Sequence, residues 1–349
     1  MDATERRRIA RAVSAAENRA GDYEAVLRAA YAAQGQARVI GVAGPPGAGK
    51  STFVDRLATL LARAGRRVAV VAIDPSSPFS GGALLGDRVR QGDSAAEENV
   101  FFRSLSARGA TGGLSEAAVD VIAVLAGSGF DHVLLETVGV GQSDVEIREI
   151  ADCTLVMTVP GLGDAVQAAK AGLMEVGDIF VVNKADLAGA ADTARHIRAS
   201  IAAAYMGEPG LNPVKRTQAG GFASAGMRAL MRRHGDMATD AAVWVPPVLC
   251  VSAARGEGIA AIAEAADTYL DWFSQSGRQA GRARERTSRQ ILRTLSALLV
   301  EHFVGPDGFS PAVAAWAERI VAGEASPVEA ARALASMAAM EKAMDSEGG

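Results

Sequence analysis

Eight consecutive residues, Gly44-Pro45-Pro46-Gly47-Ala48-Gly49-Lys50-Ser51, carry the spacing G-x-x-x-x-G-K-[ST]. Glycines so spaced let backbone N–H groups turn inward as a cradle for an anion. A helix that begins there adds the partial positive charge of its N-terminus. Lys50 is read as a surface-loop charge reaching the β- and γ-phosphates of a nucleotide, Ser51 as a Mg²⁺ ligand, and Thr52 as a further phosphate-binding residue. The flanks support this chemistry. An apolar run, Arg38–Ala43, precedes the glycines, and Phe53, Val54, Leu57, Leu60 and Leu61 follow at helical spacing. Strand, glycine loop and helix in that order separate a phosphate loop from a plain Gly/Pro turn.

Four further runs end on groups suited to the same ligand. The β-branched stretch from Arg67 to Ile73 delivers Asp74 at its C-terminal end, the edge where open α/β sheets bind ligands. A long polar loop follows, then a predicted short helix with Asp87 and Arg88. The run ending at Glu136 opens the pattern acidic-x-x-Gly, Glu136-Thr137-Val138-Gly139. Its carboxylate would hold Mg²⁺ through water, and the Gly139 N–H would sense the γ-phosphate. A sixth apolar run leads into Asn183-Lys184-Ala185-Asp186. An aspartate there accepts from N1–H and the 2-amino group of guanine, a donor pair that adenine lacks. The Lys184 stem covers the base. A seventh run ends in Ser252-Ala253-Ala254, predicted to meet the guanine edge with backbone N–H groups. All these elements, in order and each at a strand end, predict a Mg²⁺-dependent site for GTP and GDP.

The elements that position these groups follow from periodicity. Seven short β-branched runs alternate with helical patterns, which predicts an α/β fold: a mainly parallel P-loop GTPase sheet flanked by helices. The 349 residues divide into an N-terminal helical extension (1–36), a nucleotide domain (37–276) and a C-terminal helical region (277–349). Gly277 to Gly281 is predicted to break the helices, and Ser310-Pro311 and Ser326-Pro327 to start new ones. A net charge of −4 gives no reason to expect nucleic acid. Cys153 and Cys250 lie in apolar runs and are predicted to be small core residues. With four scattered histidines, no metal-ligand cluster is visible. The lack of a leader or long apolar segment predicts a cytoplasmic protein without a membrane partner.

One more run bears on function. Pro160-Gly161-Leu162-Gly163-Asp164 turns into a predicted helix with Gln167 and Lys170. Helix capping by Asp164 is the plain reading. A loop that reports nucleotide state to a partner is the functional one.

Together these motifs resemble the MeaB-type (ArgK) G-protein chaperones, the family that includes the human methylmalonic aciduria type A protein. The most specific pieces are Asp74-Pro75-Ser76-Ser77 with Gly81-Gly82 and Leu85-Gly86-Asp87, the run from Glu136 to Ser143, and the Asp164/Gln167/Lys170 run, which resembles the family's third switch. The resemblance spans nearly the whole chain. It implies a homodimeric GTPase, dimerised through its C-terminal helices, that gates cofactor loading of an adenosylcobalamin-dependent acyl-CoA mutase and protects that mutase. On this reading Asp74 and Asp87 join Ser51 and Glu136 around the metal, and Gln142 positions the attacking water. Hydrolysis is expected to be slow alone and stimulated by the partner. Two stretches depart from the family's pattern: residues 206–243, predicted to be a basic exposed insertion, and Ser77-Pro78-Phe79. A nickel-insertion GTPase would need Cys/His ligands that this chain lacks. A P-loop kinase would normally read adenine, against the Asn183–Asp186 motif, and the intact Lys50, Ser51 and Glu136 argue against a scaffold with a vestigial site.

Overall fold

A computed structural model describes residues 1–33, 36–75, 92–107, 115–137, 147–161, 177–206, 243–305 and 308–347. The chain divides into two compact units, Met1–Arg282 and Ala283–Gly349.

The first unit is built on seven strands: β1 (Arg38–Ala43), β2 (Val68–Pro75), β3 (Val100–Ala107), β4 (His132–Thr137), β5 (Cys153–Thr158), β6 (Ile179–Val182) and β7 (Val248–Cys250). They pair in the order β3-β2-β4-β1-β5-β6-β7, every pair parallel. Parallel strands need helical crossovers, and helices cover both faces, so these strands read as continuous apolar runs. Successive residues of β4 show the two-residue period. Leu134 faces a core with Phe53 and Leu57 of α3 (Lys50–Arg63) and Ile262 and Tyr269 of α6 (Ile259–Gln275). Val133 and Leu135 face the opposite core with Ile9 and Val13 of α1 (Ala3–Asn18) and Val121 and Leu125 of α4 (Ser115–Gly127). A third cluster joins Phe180 and Val182 to Ile197 and Ile201 of α5 (Ala190–Met206).

The N-terminal helices α1 and α2 (Tyr23–Ala32) pack onto this unit. Asp2 caps α1 by accepting from the Glu5 N–H at 2.7 Å. Arg103 of β3 forms a short ion pair with Glu17, and Arg67 pairs with Glu5 at 2.7 Å. The start of β1 is tied to α6, where the Arg38 fork spans Asp267 and Asp271.

Helix α7 (Arg278–Phe303) corrects one expectation, because Gly281 lies inside it and the break is confined to Ser276 and Gly277. Lacking a Cβ costs helix stability but does not forbid the helix. The second unit continues with a two-stranded antiparallel ribbon, β8 (Val304–Gly305) and β9 (Gly308–Phe309), then α8 (Pro311–Val321) and α9 (Pro327–Glu347). Both predicted helix starts are present. Ser310 accepts from the Val313 N–H. Ser326 and Glu329 form a reciprocal capping box, with the Ser326 N–H donating to Glu329 at 2.8 Å. Within this unit Ile291, Leu292, Leu295 and Leu298 of α7 are exposed.

Cys153 is buried as expected, but Cys250 is exposed. It ends an edge strand, so one side of its residue pairing is open. Among the described residues, no helix is long and apolar enough to cross a membrane. The predicted helix around Asp87 and the segment 207–242 lie outside the described residues.

Candidate functional site

Strand β1 sits at the middle of the sheet, where the strand order reverses between β4 and β5, and its C-terminal end opens the crevice expected of such folds. The chain leaves β1 at Gly44 with φ +146°, and a Cβ there would stand 2.4 Å from the Met157 carbonyl oxygen of β5. Only glycine lets the loop press this close to the neighbouring strand. Gly49, at φ +85°, leads into α3, and its missing Cβ leaves room for the Asn183 amide.

Lys50 differs from its sequence-based reading. It is buried, and its ammonium donates to the Gly44 carbonyl at 2.6 Å and the Pro45 carbonyl at 3.2 Å. The charge is therefore held within the loop that would receive the phosphates. Next to it the Ser51 hydroxyl donates to Glu136 Oε1 at 2.5 Å. Glu136 is buried on β4 and stands in register with Val42 and Ala72. A hydroxyl and a carboxylate oxygen brought together are hard donors. They suit Mg²⁺, which takes one or two protein ligands and keeps several waters. Asp74 lies next to last on β2 at the same sheet edge, in register with Ser106. The Asp74 side chain, and Asp87, Gly139, Gln142, Asp164, Gln167 and Lys170, lie outside the described residues. Among the described residues no group of three or more His, Cys, Asp or Glu gathers into a metal site.

The Asn183-Lys184-Ala185-Asp186 run follows β6 directly. Asn183 is 3% exposed. Its amide Nδ2 donates to the Ala48 carbonyl at 2.8 Å, and its Oδ1 accepts from the Ala253 N–H at 3.0 Å. The side chain thus ties the phosphate loop to the loop after β7. Spacing alone does not reveal this role, because both partners are backbone atoms of alanines. Lys184 takes a left-handed backbone, φ 56°, and is exposed. That conformation is uncommon for a residue with a side chain and clusters at functional sites.

Asp186 is fixed by Ser252, whose hydroxyl donates to Oδ1 at 2.7 Å. This bond is the first cause that holds the Asp186 carboxyl below its ordinary range. The residue's own backbone N–H acts in the same direction, with smaller help from Arg255 and Lys184 against the cost of desolvation. Arg255 reaches Asp186 Oδ2 at 3.9 Å, a contact that no motif signals. Ser252 itself is held by reciprocal backbone bonds with Glu257. The expectation for Ser252-Ala253-Ala254 concerned backbone donors; the Ser252 side chain adds a second function. Asp186 is left as an acceptor-only group, ionised and oriented. Its carboxylate complements a guanine edge, and the buried lysine and cradle complement phosphates.

The sequence pattern described as "Methylmalonyl Co-A mutase-associated GTPase MeaB" matches residues 9–306. A Pyrococcus abyssi protein is 38% identical over 299 residues, covering 86% of this chain and 83% of its own. The GTPase ArgK of Escherichia coli is 36% identical over 278 residues, 78% of this chain and 75% of its own. The mitochondrial methylmalonic aciduria type A homolog of Mus musculus is 30% identical over 292 residues, 84% of this chain and 63% of its own. Among solved structures, one described as a LAO/AO transport system kinase superposes with a TM-score of 0.62 at 26% identity, covering 95% of this chain and 93% of that one. With its phosphate-loop spacing, its Ser51–Glu136 pair and the Asp186 carboxylate fixed by Ser252, the chain belongs to the MeaB family of methylmalonyl-CoA mutase-associated GTPases.

Proposed function

We propose that this chain is a Mg²⁺-dependent GTP hydrolase that works as a chaperone of an adenosylcobalamin-dependent acyl-CoA mutase. The observation that carries the nucleotide half is the Asn183 amide, which joins a phosphate cradle to a loop whose serine orients Asp186. In this reading Asp186 accepts from the guanine edge, and Lys50 turns from its loop carbonyls to the β- and γ-phosphates. Ser51 and Glu136 hold the cation, which when bound neutralises charge on the phosphates. The side chains of Asp74 and Asp87 would complete its surroundings, Gly139 would meet the γ-phosphate, and Gln142 would orient the attacking water.

The partner half rests on the family's mutase association. Loops that answer to the γ-phosphate give GTP and GDP forms different surfaces, and a partner that prefers one form is all a chaperone needs. Asp164, Gln167 and Lys170 are assigned to reporting nucleotide state to the mutase. Linkage requires that a mutase which binds the GTP form more tightly also tightens GTP binding by the same factor. Hydrolysis is slow alone and faster with the mutase, and through this cycle the GTPase gates cofactor loading and protects the mutase. The chain is assigned to the cytoplasm and to a homodimer formed by its C-terminal helices, whose exposed leucines on α7 are the surface offered.

Two measurements test this. Calorimetry with GDP and ADP should show a preference for GDP of about 10⁴-fold, the scale of discrimination when a site's hydrogen-bonding groups lose their partners. Mixing the protein with mutases for methylmalonyl-CoA, isobutyryl-CoA and 2-hydroxyisobutyryl-CoA should change GTP turnover with one of them. If none alters turnover, cofactor transfer or protection, the chaperone assignment fails and the nucleotide assignment stands alone. The alternative of a kinase using the same phosphate loop is disfavoured by Asp186, which finds no donor pair on adenine.

A further inference from the structure

Residues 76–91 join two points that both flank the Ser51–Glu136 pair. At one end β2 runs to Pro75 beside β4, with Ala72 in register with Glu136 and Ile73 with Thr137. At the other end Gly92 opens a single 3₁₀ turn, Asp93–Ala96. That turn is held by α3, the helix that begins at the phosphate loop. The Asp55 carboxylate accepts from the Ser94 N–H through Oδ1 at 2.9 Å and from the Asp93 N–H through Oδ2 at 3.1 Å. Arg56 forms a short ion pair with Asp93. A Cβ on Gly92 would stand 2.4 Å from Asp55 Oδ2, so the carboxylate's approach leaves no room for a side chain there. Farther along the helix Glu97 pairs with Arg63 at 2.8 Å, and the Asn99 amide donates to the Ala62 and Arg66 carbonyls. Asp55 follows Ser51 by four residues, so the two share a face of α3, about 5.4 Å apart along its axis. The anchor thus stands on the face that carries the Ser51 hydroxyl to Glu136.

We infer that Asp55 is a positioning residue of the nucleotide reaction. It holds the returning end of residues 76–91 against α3 and so fixes, from one side, what that segment brings to the cation held by Ser51 and Glu136. The inference rests on the nucleotide half of the proposed function and is independent of the mutase half. Asp55 acts through the backbone of Asp93 and Ser94, not on the ligand itself. Two N–H groups on one rigid carboxylate set both the place and the direction of the returning chain. An amide in its place keeps one acceptor and turns the other into a donor that faces an N–H. Asp55→Asn therefore breaks one of the two bonds without emptying the volume.

The experiment uses the full chain without mutase. Calorimetry measures affinity for GDP and for a non-hydrolysable GTP analogue, each with Mg²⁺ and with EDTA, and GTP hydrolysis is followed across a Mg²⁺ titration. Thermal melts set a temperature at which every variant is folded. Asp55→Asn and Gly92→Ala perturb the contact from opposite sides, so either can report if the other does not fold. Each should raise the Mg²⁺ concentration for half-maximal hydrolysis about tenfold, the scale seen when a group that orients a metal's surroundings is lost. Each should weaken the analogue in Mg²⁺ and leave GDP affinity in EDTA unchanged. The double variant should be no worse than the worse single one, since both act on one contact. Glu97→Gln, which removes only the Arg63 pair, should match the wild type. A wild type whose hydrolysis ignores Mg²⁺ overturns the nucleotide reading and this inference together. A Mg²⁺-dependent wild type whose Asp55→Asn and Gly92→Ala variants titrate like it overturns this inference alone. So does an equal loss of GDP affinity in EDTA, or an equal shift in Glu97→Gln, since either makes the contact merely structural.

Discussion

The Asn183 bridge makes a prediction about a protein without nucleotide. Asn183→Ala removes the donor to Ala48 and the acceptor for Ala253, both buried to 1% exposure or less. A buried group deprived of its partner costs about 1–3 kcal/mol, and two such groups in one cluster, which do not add in full, give about 2–4 kcal/mol. For a unit of this size about 1 kcal/mol moves Tm by roughly 2–4 °C, so the variant should melt about 5–15 °C lower. The assay is thermal unfolding followed by circular dichroism, in buffer without nucleotide and again with saturating GDP. The wild-type and variant gap should already be present in the first. If Asn183 served only the base, the nucleotide-free proteins would melt together and diverge only with GDP. Coincident melts within 1 °C, the scale of the instrument's repeatability, would refute the bridge as a source of stability.

Other substitutions probe the same frame. Gly44→Ala combines a left-handed backbone with a Cβ against the Met157 carbonyl, and urea unfolding should show a loss of about 2–5 kcal/mol. Because Ser252 is the first cause of the lowered Asp186 pKa, GDP affinity should stay level from pH 8 to 5 and fall only as pH drops through the folded pKa below 3.8. In Ser252→Ala that fall should begin at higher pH, read by calorimetry across the range. His132 has its folded pKa below 6.5, so the unfolded chain takes up the proton first. Its contribution to stability is complete above pH 6.5 and declines below it until the folded pKa is reached, by at most about 1.4 kcal/mol per pH unit. Denaturant melts at pH 7.5 and 5.5 should differ less in His132→Gln than in the wild type.

The parts of this site that could be read from sequence are those whose chemistry demands particular residue types at fixed spacing. Gly44, Gly49, Lys50 and Ser51 are such a set, and so are Asn183 and Asp186. The parallel sheet and its flanking helices follow from apolar period and from the need of parallel strands for crossovers, whereas the strand order comes only with the structure. What could not be read involves backbone partners and distant pairs. Asn183 bonds a carbonyl 135 residues away, and Arg103 pairs with Glu17 across 86 residues. Neither leaves a local pattern. Lys50 was expected at the surface because a loop lysine usually is; its burial comes from carbonyls that the glycine turns aim at it. Cys250 sits in an apolar run, but its strand is three residues long and lies at the sheet edge.

The bridge through Asn183 also bears on how this protein can drift over evolutionary time. Of its three members only one contributes a side chain. Position 48 enters through a carbonyl that every residue possesses and position 253 through an N–H that every residue but proline possesses, so no mutation short of proline at 253 removes their half of the contact. What confines them is volume, since both alanines are packed with 1% exposure or less. A library of random variants selected for folding should therefore be unforgiving at 183, tolerant of Gly and Ser at 48 and 253, and hostile to anything larger there. Two of the three positions that join the phosphate loop to the loop after β7 would look, in such a screen, like ordinary packing sites.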